Sequence, residues 1–158
     1  MSMSKSGAEA RLREMGLEVL PIPPAAGQYV PAVRTGNLVF CSGQGPYTGG
    51  KMKFIGKVGD TLSLEDGRSA ARLCALNCLA EIRAVTGSLD RIRQIVSVRG
   101  FVNSASSFYD QPKVLDGASQ LLIDIFGDRG RHVRCALGTS VMPSNIAVEV
   151  EMVVEVED

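Results

Sequence analysis

The side chains able to do covalent or acid–base work are few. The chain carries four cysteines, Cys41, Cys74, Cys78 and Cys135, and one histidine, His132. No two cysteines form a CxxC pair, so neither a Cys/His zinc set nor a secreted disulfide framework is indicated. With one histidine, any nucleophilic triad would need His132 as its base, and no GxSxG elbow accompanies it. His132 therefore reads as a loop or surface residue. Glu149, Glu151 and Glu155 form an acidic row near the C-terminus. By itself such a row is a solvated strand face; a catalytic carboxylate would need a partner and a water-poor pocket to tune it. Arg129, Arg131 and Arg134 flank a loop entering a strand. The bland reading is a basic turn. The sharper one takes Arg134, at the strand entrance, as a fixed fork for a carboxylate or phosphate, which guanidinium geometry suits.

Two glycine-rich stretches invite a nucleotide-binding reading, and both fail. Gly45-Pro46-Tyr47-Thr48-Gly49-Gly50-Lys51 matches the first seven positions of a phosphate-binding P-loop. Met52 then stands where a hydroxyl should hold magnesium, and the following residues are strand-like, so no helix N-terminus meets the phosphate. A glycine turn is the better reading. Gly43-Gln44-Gly45 is an incomplete dinucleotide fingerprint that Pro46 and Thr48 do not extend.

The elements that would position these groups follow from periodicity. Residues 1–28 read as an N-terminal extension, with a short helix at 9–15 stopped by Gly16. Pro21, Pro23 and Pro24 then force extended chain. The domain proper occupies 29–158. Residues 29–34 and 38–42 read as strands joined at Thr35-Gly36-Asn37, and 52–55 as a further short strand. Residues 63–86 are the clearest helix: Ser63 and Asp66 form a capping box and Gly87 stands at the stop. Its stripe of Leu64, Ala71, Cys74, Ala75, Cys78, Leu79 and Ile82 makes both cysteines core residues. A strand at 95–102, a helix opened by Pro112 and running to 126, and strands at 134–141 and 146–156 complete the order ββ(β)αβαββ. Along the last strand Ile146, Val148, Val150, Met152, Val154 and Val156 point one way and the glutamates the other. The expected fold is α+β, a single mixed sheet with two helices on one face. The second face is left uncovered, which predicts a homo-oligomer.

Composition narrows the class. At 158 residues and 16.8 kDa the chain is one domain, large enough for a packed core. Seventeen basic residues balance seventeen acidic ones, which argues against a general nucleic-acid binder. No apolar run has transmembrane length and the first sixteen residues lack a signal-type hydrophobic stretch, so no membrane partner and a cytoplasmic location are expected.

Several pieces then fall in a recognisable order. Tyr29-Val30-Pro31-Ala32-Val33 precedes Thr35-Gly36-Asn37-Leu38; Ser42-Gly43-Gln44-Gly45-Pro46 follows; Arg134 and Pro143 lie nine residues apart, before Ala147-Val148-Glu149-Val150-Glu151. No single piece is specific, but the ordered set, spanning residues 27–156, resembles the reactive-intermediate deaminase (RidA-like) family, also known as endoribonuclease L-PSP. The chain is most similar to a longer branch with an N-terminal extension. The resemblance implies a chorismate-mutase-like fold and a homotrimer with inter-subunit clefts. It also implies hydrolysis of 2-imino or enamino acids to 2-oxo acids and ammonia, without cofactor or metal. By position, Arg134 matches the arginine that binds the substrate carboxylate and Glu149 the glutamate that positions the attacking water. Tyr29 lines the pocket, and Gly43 brings backbone close to the ligand. Ala136 stands where many members carry a cysteine that contributes backbone groups. Asp116 or Gly117 replaces the usual helix asparagine. Anchor and carboxylate are expected on adjoining strands, in a pocket that needs two chains. The alternatives are a non-catalytic protein binding a small carboxylate and, weaker, a ribonuclease, which the neutral charge and single histidine disfavour.

Overall fold

The structure, a computed structural model, describes residues 7–158. Its elements are α1 (Ala8–Glu14), β1 (Ala32–Thr35), β2 (Leu38–Gln44), β3 (Tyr47–Thr48), β4 (Lys51–Met52), α2 (Leu64–Thr86), β5 (Ile92–Asn103), α3 (Gln111–Phe126), β6 (Val133–Thr139) and β7 (Val148–Val156). This is the α+β, chorismate-mutase-like plan: one mixed sheet in the order β1-β2-β7-β5-β6, with α2 and α3 on one face. All pairings are antiparallel except β5 with β6, which the α3 crossover joins in parallel. That crossover corrects one expectation. β6 and β7 are consecutive in the chain but not adjoining, because β5 pairs with both and lies between them. Among the described residues no helix is long and apolar enough to cross a membrane.

Local chemistry explains the long elements. Ser63 accepts from the Asp66 N–H at 3.0 Å while Asp66 accepts from the Ser63 N–H at 2.9 Å, closing the capping box. At the other end Gly87 adopts the left-handed conformation (φ 82°) that terminates α2. The apolar row of β7, from Val148 to Val156, is buried at every second residue beneath α2. Cys74 and Cys78 lie fully in that core, and their thiols donate to the Val148 and Val150 carbonyls at 3.4 and 3.2 Å. Gly117 lets α3 approach α2, since a Cβ there would overlap the Arg68 carbonyl.

The stretch from Gly45 to Lys51 is a turn, as its sequence indicated. Tyr47 pairs with Met52 and Thr48 with Lys51 around Gly49 and Gly50, both at positive φ. The strand expected at 52–55 shortens to this two-residue arm. The open face of the sheet presents Val33, Phe40, Leu137 and Val133, the last three at 46%, 51% and 69% exposure, around an Arg99–Glu151 ion pair of 3.0 Å.

The N-terminal extension is tied down from residue 7 onward. Ala8 and Leu12 of α1 are buried, and Asp90 accepts from the Glu9 N–H at 3.0 Å. Glu9 in turn accepts from the Leu89 N–H at 3.1 Å and pairs with Arg83, which also donates to the Val19 carbonyl. These bonds join groups 64 to 81 residues apart and steer the proline-rich segment toward the end of β2.

Candidate functional site

At that end of the sheet lies a cleft of about 380 Å³. Tyr29, Gly43, Gln44 and Glu149 line it, residues 22–26 of the extension form one wall, and Glu81 of α2 another. The register of β2 on β7 shifts between Cys41 and Gln44, so Gly43 meets β7 at an irregularity. Any Cβ at Gly43 would overlap the Glu149 carboxylate, so only glycine permits this approach.

Glu149 alternates with the buried Val148 and Val150, so it leaves the sheet on the face opposite the helices. Burial, and secondarily the Glu151 carboxylate, raise its carboxyl above the ordinary value. Burial does the same to Glu81. Neither carboxylate forms an ion pair among the described residues, and the cleft lining includes no lysine or arginine. Nor do three His, Cys, Asp or Glu side chains among the described residues gather to hold a metal ion.

Three of the five residues singled out from the sequence therefore meet: Tyr29, Gly43 and Glu149. Arg134 and Ala136 do not join them within one chain. On β6 they pair with Val98 and Gly100, whose side of the sheet packs under α3. Arg134 reaches Asp116 Oδ1 at 2.8 Å and Ser119 Oγ at 3.1 Å. Anchor and carboxylate thus occupy opposite faces of one sheet, two strands apart. Nothing in the sequence pointed to Ser119. His132 lies in the loop before β6, as expected, and is half-buried there, with Ser119 Oγ 3.0 Å from its Nε2. The spacing of Asp116 and Ser119, three apart on a helix, and of His132 and Arg134, two apart entering a strand, says only that each pair shares a side.

Comparison with known proteins fits this architecture. The family model described as "YjgF/chorismate mutase-like, putative endoribonuclease" matches residues 9–156. Protein TCP17 of Trypanosoma cruzi is 39% identical over 162 residues, covering all of both chains. The crystal structure of a protein from Shewanella oneidensis described as a "putative endoribonuclease" superposes with a TM-score of 0.93 at 38% identity, over 96% of this chain and 100% of that one. The protein Atu1372 of Agrobacterium tumefaciens, described as having unknown function, gives 0.85 at 38% identity, over 96% and 94%. Matched along nearly its whole length, the chain belongs to the YjgF/RidA-like (endoribonuclease L-PSP) family.

Proposed function

We propose that the protein hydrolyses reactive 2-imino or enamino acids to 2-oxo acids and ammonia, at a site shared between copies of the chain in a homotrimer. The observation that carries this reading is Glu149: a half-buried carboxylate of raised pKa, without an ion pair among the described residues, that leaves the sheet on its uncovered face and is set against glycine backbone in a cleft at the end of β2. The exposed apolar side chains of that face favour association. Association would bring the β6 edge of one copy, with Arg134 and Ala136, to the cleft holding Tyr29, Gly43 and Glu149 of another.

The chemistry asks little of the protein. A protonated imine is already electrophilic. Arg134 anchors the substrate carboxylate through paired N–H bonds, which holds the C=N carbon beside a water on Glu149. The water oxygen adds to that carbon as the C=N pair moves to nitrogen, and Glu149 takes the water proton. It returns that proton to the nitrogen; the hydroxyl then gives its own proton to Glu149 as the O–H pair forms the C=O bond and the C–N bond breaks, and the departing ammonia takes that proton from Glu149, leaving the 2-oxo acid. A carboxyl raised toward neutrality suits these transfers.

The test is release of 2-oxo acid from a freshly generated 2-imino acid. The wild type is expected to exceed the uncatalysed rate, and Arg134→Ala to fall back to it. Wild type at the uncatalysed rate would overturn the reading. Saturable binding of a small carboxylate without turnover would then favour a binding protein of the same fold.

A further inference from the structure

Arg134 is held at one corner by a directional chain of bonds. Its Nη1 donates to Asp116 Oδ1 at 2.8 Å and to Ser119 Oγ at 3.1 Å. Those two bonds use both hydrogens on that nitrogen. Ser119 Oγ lies 3.0 Å from His132 Nε2, and His132 Nδ1 lies 2.7 Å from the Gly130 carbonyl. A carbonyl can only accept, so Nδ1 carries the hydrogen. Burial outweighs the raising effect of the Gly130 bond and, with a smaller contribution from Arg134, holds the ring pKa below its ordinary value, so at pH 8 the imidazole is neutral and Nε2 accepts. The Ser119 hydroxyl is then the donor to Nε2, and its lone pairs face Arg134. Every hydrogen in the chain has one destination.

The other edge of the guanidinium is different. Nε and Nη2 make no hydrogen bond among the described residues, and the side chain stays 24% exposed. That edge is the planar pair of donors that matches a carboxylate. Asp116, 51% exposed, holds the remaining nitrogen, Nη1, of the same guanidinium. It offsets part of the arginine's charge and sets a negative group across the guanidinium from an anion at the free edge.

We propose that Asp116, Ser119 and His132 are positioning residues for Arg134, presenting its Nε/Nη2 edge to one carboxylate and excluding ligands with a second negative group close by. The inference rests on the deaminase reading and deepens it by naming the ligand class: a monoanion. A single carboxylate gains two charge-assisted bonds at the free edge. A dianion such as malonate or hydrogen phosphate brings a second charge into the field of Asp116, and repulsion selects against it.

The test uses the full-length protein at pH 8, the 2-imino acid assay, and propionate, malonate and inorganic phosphate as inhibitors. Ser119→Ala is expected to raise KM by about tenfold, the worth of one bond to a charged group, with kcat within about twofold. Ser119→Thr, which keeps the hydroxyl, restores KM. His132→Asn shifts KM the same way by less. Wild type is inhibited more by propionate than by malonate or phosphate, and Asp116→Asn reverses or erases that order. Asp116→Asn lies at an exposed position and serves where Ser119→Ala does not fold. If Arg134→Ala raises KM while Ser119→Ala and Asp116→Asn leave KM and the inhibitor order unchanged, the positioning role is overturned and the deaminase reading stands. If no variant or wild type accelerates the reaction, the deaminase reading itself fails.

Discussion

Glu149 and Arg134 leave opposite faces of the same sheet, and their surroundings differ in kind. Glu149 sits in a cleft whose lining holds a second carboxylate, Glu81, and no lysine or arginine, with glycine at its closest approach. Arg134 sits under α3 in a corner shaped by hydrogen bonds, its Nη1 committed to an acid and a hydroxyl. The first environment leaves a carboxylate under-solvated and raises its pKa. The second fixes a cation and leaves one edge unsatisfied. Each half lacks what the other supplies, which is the arrangement expected if the site is completed by another copy.

The sharpest way to separate the halves is to neutralise the acid. Glu149→Gln keeps the shape of the cleft but removes its base, and is expected to lower kcat by roughly 10² to 10⁴, measured as 2-oxo acid release. The same variant reports on stability with the opposite sign. A carboxyl whose folded pKa is raised contributes favourably only below its unfolded pKa and becomes a penalty as pH rises through the folded value. Glu149→Gln should therefore melt higher than wild type at pH 8. The gain should vanish as the pH falls below the ordinary carboxylate range. A lower melting temperature at pH 8 would show that the ionised carboxylate is stabilised, contrary to the cleft described.

A second intervention acts on the surface between the halves. Leu137 is 51% exposed on the open face, on the same strand as Arg134 but pointing away from it. Leu137→Asp is expected to sediment as a monomer, keep the far-UV CD spectrum of the folded chain, and lose activity without change at any site residue. A fully active monomer would show that one chain suffices.

Much of this architecture was legible locally. The Ser63–Asp66 box, the Gly87 stop and the two-residue rhythm of β7 are signals written within a few residues, and each produced the element expected. The turn at Gly49 and Gly50 was legible for the same reason. What local patterns could not show was strand order. Arg134 and Glu149 are both strand residues fifteen apart, and nothing nearby in sequence says that β5 intervenes or that the two side chains leave opposite faces. That follows from the parallel register of Arg134 with Val98 and the antiparallel register of Glu149 with Phe101. The extension was equally opaque. Residues 1–28 read as an attachment, yet Leu12 is buried and the ties to Asp90 and Leu89 span eighty residues. The first six residues lie outside the described part. Ser119 gained its role only when α3 folded over the start of β6.

The most direct test of a shared site is complementation. Arg134→Ala retains an intact Glu149, and Glu149→Ala retains an intact Arg134. Each alone is expected to be inactive. Unfolded together at equal amounts and refolded into randomly assembled trimers, they should recover about one quarter of the wild-type rate, the share of interfaces pairing two intact halves. No recovery in mixed trimers whose composition is verified by native mass spectrometry would place both residues of each working site in one chain and contradict the account.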